Sequence, residues 1–387
     1  MLPFSYTIRN LLKYRVTTIL TLLGFALVVF VFCGSLMLTA GMHKTLVDTG
    51  SDDNFIITRK AAQVEVQSLV YYSQARIISA QPEIAVDEDG APMITNEIYV
   101  LILLNKRQGN GEANVVARGV TPKSLELRDN VSLVEGRMFK EGASEVIVGS
   151  EAAKRYSGCA IGEKLRFGSR EWTVVGIFDA RRSAFDSEVW LDVTQASDAF
   201  RRPVYSSLTL RLNDASQYRS FKERLENDPR LPIDVSREAD FYARQSQATT
   251  MFLDITSYMI SLVFCLGAIV GAMITMYASV ASRTKEIGTL RALGFSRFSI
   301  LTSFLVESMM IALAGGVLGI LAALLLQLRR ISTMNWDTFS DISFNFYMAP
   351  WILGVAVVFA VVMGLVGGFL PAVRAARLKI IDSLRAA

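Results

Sequence analysis

Four long apolar runs constrain this chain more than any other feature of its sequence. They cover residues 16–42, 255–282, 298–328 and 351–373, and the only charged residue inside them is Glu307. A helix needs about 20 apolar residues to cross a hydrocarbon core of about 30 Å. We therefore predict a membrane protein with four transmembrane α-helices. The alternative for the first run is a cleaved signal peptide, but the apolar segment of a signal is shorter, at about 7–15 residues.

The distribution of Lys and Arg predicts how the runs are oriented. Basic residues cluster before the first run, between the second and third, and after the fourth, whereas acidic residues offset the basic ones between the third and fourth. Short loops rich in Lys and Arg remain in the cytoplasm. We therefore expect both termini to be cytoplasmic and the long insertion after the first run to be outside.

This topology divides the chain into cytoplasmic, membrane and external segments. A composition of 51% hydrophobic and 20% charged residues agrees with apolar blocks separated by ordinary soluble sequence. The predicted cytoplasmic parts are an amphipathic N-terminal segment at 1–15, a coupling segment at 283–297 and a C-terminus at 374–387. The predicted transmembrane helices are 16–42, 251–282, 298–328 and 350–373, with an extracytoplasmic domain and its stalks at 43–250 and a short external loop at 329–349.

The large insertion has the pattern of an α+β domain. Strand-like runs occur at 55–58, 98–104, 115–120, 145–148, 164–167, 172–178, 188–191, 207–212 and 233–235. Helical patterns occur at 66–79, 150–156, 194–201 and 215–226, and strands mixed with helices in this way favour an α+β fold. We predict a loop at 87–96. Residues 238–250 contain no helix breaker, so we expect one helix to continue from the domain into the second span.

The chain offers few side chains suited to catalysis or metal binding. His43 is the single histidine, and Cys159 is the only cysteine in the insertion, so we expect no metal site, His-based triad or internal disulfide there. Gly162-Glu163-Lys164 lacks the adjacent Gly-Lys-Ser/Thr of a phosphate loop, and no Walker motif occurs elsewhere in this sequence. We predict no catalytic residue, no cofactor bound by this chain and no nucleic-acid partner.

Several motifs occur together in one order. Residues 283–308 contain Arg-x-x-Glu-Ile-Gly, then Arg-Ala-Leu-Gly, then Glu-Ser; the C-terminal part contains Gly368-x-x-Pro371 and Leu384-Arg385. The insertion adds Arg118-Gly119-Val120, Glu135-Gly136-Arg137, Val146-Ile147-Val148-Gly149 and Val174-Val175-Gly176, and the N-terminus adds Ile8-Arg9-Asn10-Leu11. Over nearly its whole length, the chain resembles the MacB/FtsX-like (type VII) ABC transporter permease family.

The resemblance implies a membrane subunit without catalytic activity of its own. In this family two permease chains pair, and each rests on a cytoplasmic ABC ATPase that binds ATP and Mg. We therefore expect a homo- or heterodimer in the bacterial cytoplasmic (inner) membrane, in contact with lipids. A periplasmic adaptor or cargo protein is a further expected partner.

The resemblance leaves several functions open. Family members release lipoproteins, export macrolides and toxins, or activate cell-wall hydrolases. Because the four spans offer no polar route, we expect the complex to extract or export lipoprotein, lipid or other amphiphilic cargo by mechanotransmission. The alternative is a signalling permease that activates an extracytoplasmic enzyme, and a third hypothesis is a sensor or adhesion protein without an ATPase.

The resemblance assigns ATPase coupling to the segment between the second and third spans. The implied coupling residues are Arg283, Lys285, Glu286, Ile287, Gly288, Leu290, Arg291, Leu293 and Gly294. A short cytoplasmic helix of this kind inserts apolar side chains, here Ile287 and Leu290, into a groove on a soluble partner. The alternative is an interfacial helix lying on lipid. The charges are not segregated from the apolar residues, which argues against a role on lipid alone.

The spans contain one ionisable residue and three pairs of glycines. An ionised carboxylate at mid-membrane costs about 2.5–3.5 kcal/mol on insertion scales, so Glu307 should face protein or water. We favour a structural hydrogen bond over a proton relay, because no second buried ionisable residue is visible in the sequence. The GxxxG pairs allow close helix packing, within one chain or at a dimer seam; they are Gly267/Gly271, Gly315/Gly319 and Gly364/Gly368.

Overall fold

A computed structural model describes residues 15–108, 111–245, 247–335 and 338–378 of the chain. The chain forms two compact units. The membrane unit contains the chain up to Gly41, Phe252–Arg329 and the chain from Phe346; the external unit contains Met42–Met251 and Arg330–Asn345. The motif at residues 8–11, most of the predicted segment 1–15 and the C-terminal residues 379–387 lie outside the described residues.

The described residues form helices and strands that we number in chain order. The helices are α1 (Arg15–Val47), α2 (Tyr72–Ser79), α3 (Lys123–Leu127), α4 (Ser150–Arg155), α5 (Val193–Phe200), α6 (Tyr218–Glu226), α7 (Glu238–Gln245), α8 (Gln247–Ser282), α9 (Thr284–Ala292), α10 (Arg297–Leu324) and α11 (Pro350–Arg377). The strands are β1 (Asn54–Arg59), β2 (Ile94–Asn105), β3 (Glu112–Val120), β4 (Ser132–Gly136), β5 (Glu145–Gly149), β6 (Lys164–Phe167), β7 (Arg170–Asp179), β8 (Val189–Asp192), β9 (Ser207–Arg211), β10 (Ile233–Arg237), β11 (Arg330–Met334) and β12 (Asp341–Asn345).

The membrane unit confirms the four predicted spans. Helices long and apolar enough to cross a membrane cover Arg15–Val47, Thr250–Ser282, Arg297–Leu328 and Pro350–Arg377. Their packed side chains come from all four helices, including the stacked rings of Phe32 and Phe359, whose centroids lie 4.3 Å apart. A backbone with no exposed polar groups suits the hydrocarbon core, since each helix satisfies its own hydrogen bonds.

Two of the three glycine pairs pack within this chain. A Cβ atom at Gly319 of α10 would lie 2.5 Å from the carbonyl oxygen of Ala26 on α1, and one at Gly315 would lie 2.7 Å from that of Leu22. Gly368 of α11 has the same relation to α10, because its Cβ would lie 2.5 Å from the Cβ of Ser308. Glycine therefore sets how closely α10 approaches both neighbours.

The external unit is built on a mixed ten-stranded sheet, and its α+β class agrees with the prediction. The strand order is β10-β1-β9-β2-β3-β8-β5-β7-β4, and β6 pairs with β7. The pairs β3–β8 and β5–β7 are parallel, and the others along this path are antiparallel. One apolar core lies around β3, β5, β7 and β8, and another lies between α2, α6 and the strands β1, β9 and β10.

Sequence patterns predicted the positions of most elements of the external unit. The predictions were wrong where strand pairing with a distant segment replaces a locally predicted helix or loop. The predicted helix at 66–79 is a 3₁₀ turn at Glu65–Gln67 followed by α2, because Val70 forms a β-bridge with Tyr205 between them. The predicted loop at 87–96 overlaps β2, whose first residues pair with β9. The predicted continuous helix at 238–250 corresponds to α7 and the start of α8, and residue 246 between them lies outside the described residues.

The predicted short loop between the third and fourth spans contains a β-hairpin. Strands β11 and β12 pair antiparallel and belong to the external unit. The carboxylate of Asp341 accepts hydrogen bonds from Arg155 at 2.7 Å and from the Tyr156 hydroxyl at 2.8 Å, and Arg330 forms an ion pair with Glu151. The hairpin is therefore attached to α4 and the residue that follows it. We predicted only a loop here, although the alternation in Arg330–Met334 is a strand signal.

A buried ionic cluster lies near the centre of the external unit. Arg118 on β3 stands opposite Tyr99 of β2 and Trp190 of β8. Its guanidinium donates to three glutamates at 2.7–2.9 Å, and neighbouring Arg128 contacts two; together they are Glu65, Glu97, Glu188 and Glu238. These four carboxylates exceed the two guanidiniums in number, and burial raises the pKa of Glu188. We define these six residues as the buried ionic cluster.

The cluster connects both ends of the external insertion. Glu238 begins α7, and its second carboxylate oxygen accepts hydrogen bonds from the backbone N–H of Ser51 and the side-chain amide of Asn54, both at 3.1 Å. The Tyr242 hydroxyl, one turn later on α7, donates to Glu65 at 3.2 Å. The residues that follow α1 and those that precede α8 are therefore held together by charge-assisted hydrogen bonds.

We expect Gly319→Ala to lower the stability of the membrane unit by about 1–3 kcal/mol, because the added methyl group overpacks the contact with α1. Gly354→Ala on α11 is the matched control, since a Cβ there meets no atom within 4 Å. Both variants gain the same helix propensity. Thermal unfolding in detergent measures the difference, and equal midpoints would contradict the close contact.

We expect Arg118→Leu to destabilise the external unit by about 3–5 kcal/mol, because the buried carboxylates of Glu65 and Glu188 lose their guanidinium partner and Glu97 keeps only Arg128. Arg137→Leu is the control: its pair with Glu145 is about half exposed on the arginine side, and the expected change is below about 1 kcal/mol. Protease resistance of the full chain in increasing urea measures both. A loss of similar size in the two variants would argue against the role of burial.

Candidate functional site

The segment between the second and third spans forms a short, well-capped helix. Helix α9 ends with a Schellman motif, in which the N–H of Phe295 donates to the carbonyl of Leu290 and that of Gly294 to Arg291. Gly294 has a φ of 93°, a conformation that glycine adopts without steric cost. The Ser296 hydroxyl then accepts a hydrogen bond from the N–H of Ser299 and caps α10. The Arg-Ala-Leu-Gly motif thus encodes a sharp turn from α9 into the third span.

One face of α9 is buried against three spans. Ile287 is 2% exposed and belongs to an apolar cluster with Met276 and Val280 of α8, Phe304 of α10 and Ala375 of α11. This placement corrects the prediction that Ile287 inserts into a partner, because its side chain already fills a space inside this chain. Gly288 is buried beside it. Helix α9 therefore rests on a platform formed by α8, α10 and α11.

The opposite face of α9 is open. Lys285 and Thr289 are exposed, whereas Glu286, Leu290 and Arg291 are partly buried. Just beyond the helix, Leu293 is 72% exposed, and Phe298 at the start of α10 is 70% exposed. The apolar side chains available to a partner are therefore Leu293 and Phe298, with Leu290 contributing in part. Which face of this segment is free depends on its packing against the spans and is not indicated by the sequence alone.

Arg283 and Glu307 form a buried ion pair within the membrane unit. Two parallel hydrogen bonds of 2.9 Å join the guanidinium of Arg283, between α8 and α9, to the carboxylate of Glu307 on α10. The two residues are 2% and 4% exposed. Arg283 is therefore buried, although we predicted it on the coupling surface, and it is the second ionisable group that we did not find for Glu307. The chain between the two residues folds back through α9 and the turn at Gly294, and the spacing along the sequence does not reveal this.

The third glycine pair lies in a groove. Gly267 and Gly271 on α8 have no neighbouring atom within 4 Å of a built Cβ. Together with Gly24 of α1 they line an apolar groove of about 400 Å³ between α1 and α8. The contacts within the described chain therefore account for the pairs at Gly315/Gly319 and Gly364/Gly368, but not for this one.

Other reactive groups do not assemble into a centre in the described parts of the chain. No group of three or more His, Cys, Asp or Glu side chains among these residues is arranged to hold a metal ion. The three cysteines are free thiols, and burial raises the pKa of Cys159 to about 12. Burial also raises the pKa of Asp186 to about 6, against the opposing effect of hydrogen bonds from the N–H groups of Ala180 and Arg182. These shifts follow from burial in a folded core.

Two family models match the chain in successive segments. The MacB-like periplasmic core domain matches residues 18–228, and the FtsX-like permease C-terminal domain matches residues 258–380. The first therefore includes most of α1 and of the external unit, and the second includes most of α8 together with α9, α10 and α11.

The chain is also similar to named proteins. It is 25% identical to a macrolide export ATP-binding/permease protein MacB of Bordetella avium, over 96% of this chain and 58% of the relative. It is likewise 25% identical to MacB of Escherichia coli O157:H7, over 83% of this chain and 49% of the relative. The chain thus spans less than two thirds of the length of these relatives.

Two solved structures resemble parts of the chain. The periplasmic region of MacB from Actinobacillus actinomycetemcomitans has 14% identity and a TM-score of 0.38, over 50% of this chain and 92% of that one. The extracellular domain of the transporter YknZ from Gram-positive bacteria has 12% identity and a TM-score of 0.36, over 47% of this chain and 99% of that one.

The two family matches together cover most of the spans and of the external unit. The match to the periplasmic core domain covers more than half of the sequence, and the match to the permease domain begins within α8 and ends just after α11. Four helices long and apolar enough to cross a membrane, together with the match to the permease domain, indicate a multi-pass inner-membrane protein. The chain belongs to the MacB/FtsX-like family of ABC transporter permeases.

Proposed function

We propose that this chain couples ATP hydrolysis by a separate cytoplasmic ABC ATPase to movement of its external unit. The ATPase binds ATP and Mg, and this permease contributes no catalytic group. A second permease chain completes the complex, which lies in the inner membrane with both termini in the cytoplasm. Movement begins at α9 and passes along the spans to the external unit.

The observation that carries this proposal is the support of α9 on three spans. A helix with few contacts to the spans would move on the membrane surface when a partner displaced it, without moving the spans. Here Ile287 is fixed among side chains of α8, α10 and α11, and Leu293 remains 72% exposed for docking. A rigid helix with a free apolar side chain at its end suits docking into a groove on a soluble partner.

We propose an amphiphilic cargo, such as a lipoprotein or lipid, that is moved on the external side of the membrane. The support is chemical: the outer faces of the spans are apolar, with exposed side chains such as Val263 and Leu318, and the relatives that share 25% identity are named as exporters of macrolides. A periplasmic adaptor would receive such cargo. A cell-wall hydrolase bound in its place would instead favour the signalling alternative.

We expect Leu293→Arg to weaken ATPase binding about 10–30-fold, because a charge replaces a desolvated anchor. Leu103→Arg is the control, since Leu103 is 59% exposed on the external unit. Affinity purification of the tagged chain from its native membrane, followed by mass spectrometry, identifies the ATPase and any external partner. Purification of the unaltered chain without any ATPase would refute the proposal, and equal ATPase recovery with both variants would remove Leu293 from the interface.

The proposed topology has its own test. We expect a membrane-impermeant maleimide to label Lys164→Cys on intact spheroplasts and to leave Lys285→Cys unlabelled until the membrane is opened. Both positions are exposed. The native thiols of Cys33 and Cys159 are buried and that of Cys265 is partly buried, so the chain without introduced cysteines gives the background. Labelling of both introduced cysteines from the same side would place the external unit and α9 in one compartment and exclude the mechanism.

A further inference from the structure

The ion pair between Arg283 and Glu307 joins α9 to the third span at a second point. Arg283 is the single residue between the end of α8 at Ser282 and the start of α9 at Thr284. Its guanidinium returns to α10 and forms two parallel hydrogen bonds of 2.9 Å with Glu307. The ion pair therefore joins the two ends of the segment 283–307, which contains α9, the turn after it and the first part of α10.

The geometry of this contact differs from that of the apolar packing around it. Contacts of Ile287 with Phe304 and Ile300 tolerate sliding, because apolar packing has no fixed direction. A bidentate arginine–carboxylate pair fixes both distance and orientation. Buried ion pairs contribute little net stability compared with apolar side chains of the same size, and their best-attested use is to fix register. The pair therefore sets the register of α9 against α10.

The third span, α10, contacts two other spans to which its movement can be transmitted. Gly315 and Gly319 of α10 touch the backbone of α1, and the Ser308 hydroxyl, one residue after Glu307, donates to the carbonyl of Gly364 on α11 at 2.7 Å. A displacement of α10 therefore reaches α1 and α11. The ion pair therefore adds a directed, charge-assisted contact to the covalent links of α9 with α8 and α10 and to its apolar packing.

We propose that Arg283 and Glu307 are positioning residues that transmit displacement of α9 to the third span, and through it to the neighbouring spans. The pair acts as a clamp: it moves α10 together with α8 when the partner ATPase pushes α9. This inference rests on the proposed function, because it needs an ATPase that acts on α9. It identifies the residues that carry the movement from α9 to the third span.

The test follows the external end of the third span in the complete complex. Leu328 is 82% exposed at the end of that span, and Leu328→Cys introduces a thiol there. Its rate of alkylation is measured in the purified complex with its ATPase in nanodiscs, without nucleotide and with ATP plus vanadate. The chain without Leu328→Cys gives the background from the native cysteines.

Coupling between distant sites is typically about 5–150-fold in equilibrium terms, so we expect nucleotide to change the alkylation rate about fivefold or more. Glu307→Gln should reduce that change to less than about twofold while the ATPase remains bound, because a neutral amide no longer holds both guanidinium nitrogens. Arg283→Lys keeps the charge but cannot form two parallel bonds, and should give an intermediate change. The exchange Arg283→Glu with Glu307→Arg should restore at least half of the original change.

Ser308→Ala is the matched control in the same turn of α10. It removes the hydrogen bond to Gly364 and leaves the ion pair in place, so the nucleotide-dependent change should persist. Loss of the change in Ser308→Ala to the same extent as in Glu307→Gln would show a general packing effect and overturn the proposal. If Glu307→Gln fails to fold, Arg283→Lys and the exchanged pair provide the same comparison.

The outcomes separate this inference from the function on which it rests. An ATPase that binds the unaltered chain, together with an unchanged nucleotide response in Glu307→Gln, overturns the clamp and leaves the proposed function standing. A bound ATPase without any nucleotide response at position 328 also overturns the clamp, since the third span then receives no movement. Absence of a bound ATPase on the unaltered chain refutes the proposed function itself.

Discussion

The organisation of the membrane unit depends on how closely α10 approaches its neighbours. Its glycines remove the side chains that would hold α1 away, and the glycines of α11 do the same for α10. In lipid, where helices gain little from the hydrophobic effect, such backbone contact supplies much of the association. Because α10 is in contact with α1, α9 and α11, it is the helix around which the unit is arranged. Its single carboxylate, Glu307, is tolerated only because Arg283 neutralises it within that packing.

In the external unit, buried charged side chains hold distant segments together, whereas in the membrane unit small residues allow the helices to pack closely. The buried ionic cluster brings together groups that are far apart in the sequence, from the 3₁₀ turn before α2, β2, β3, the end of α3, the residue before β8, and α7. Apolar side chains could fill the same volume with similar stability, but they would fix relative positions less strictly. Glu238 and Asn54 place the two ends of the insertion in one hydrogen-bond network. The same network therefore holds the two ends of the insertion to each other.

The sequence predicted the features that depend on a local pattern. It did not predict contacts between residues that are distant in the sequence and come together only when the chain folds back. Length and hydropathy predicted the four spans, and alternation predicted most strands, because these signals are contained within each segment. The pairing of Arg283 with Glu307 and the burial of Ile287 required the turn at Gly294, which places α9 back against α10. The cluster around Arg118 was also missed, although Arg118-Gly119-Val120 was noted as a motif. A charged residue inside a strand of apolar residues was the available signal, and it indicates a buried partner.

The hairpin β11–β12 makes the external unit discontinuous along the chain. Its strands are encoded between the third and fourth spans, beyond two membrane crossings from the rest of that unit. A soluble fragment cut at residues 43 and 250 would lack Ile342 and Phe344, which are buried in the complete chain, and would leave Arg155 and Tyr156 without Asp341. Folding of this unit therefore cannot be complete before the third span has been synthesised and inserted. The hairpin then packs, as a separate two-stranded sheet, against a part of the unit that was synthesised earlier.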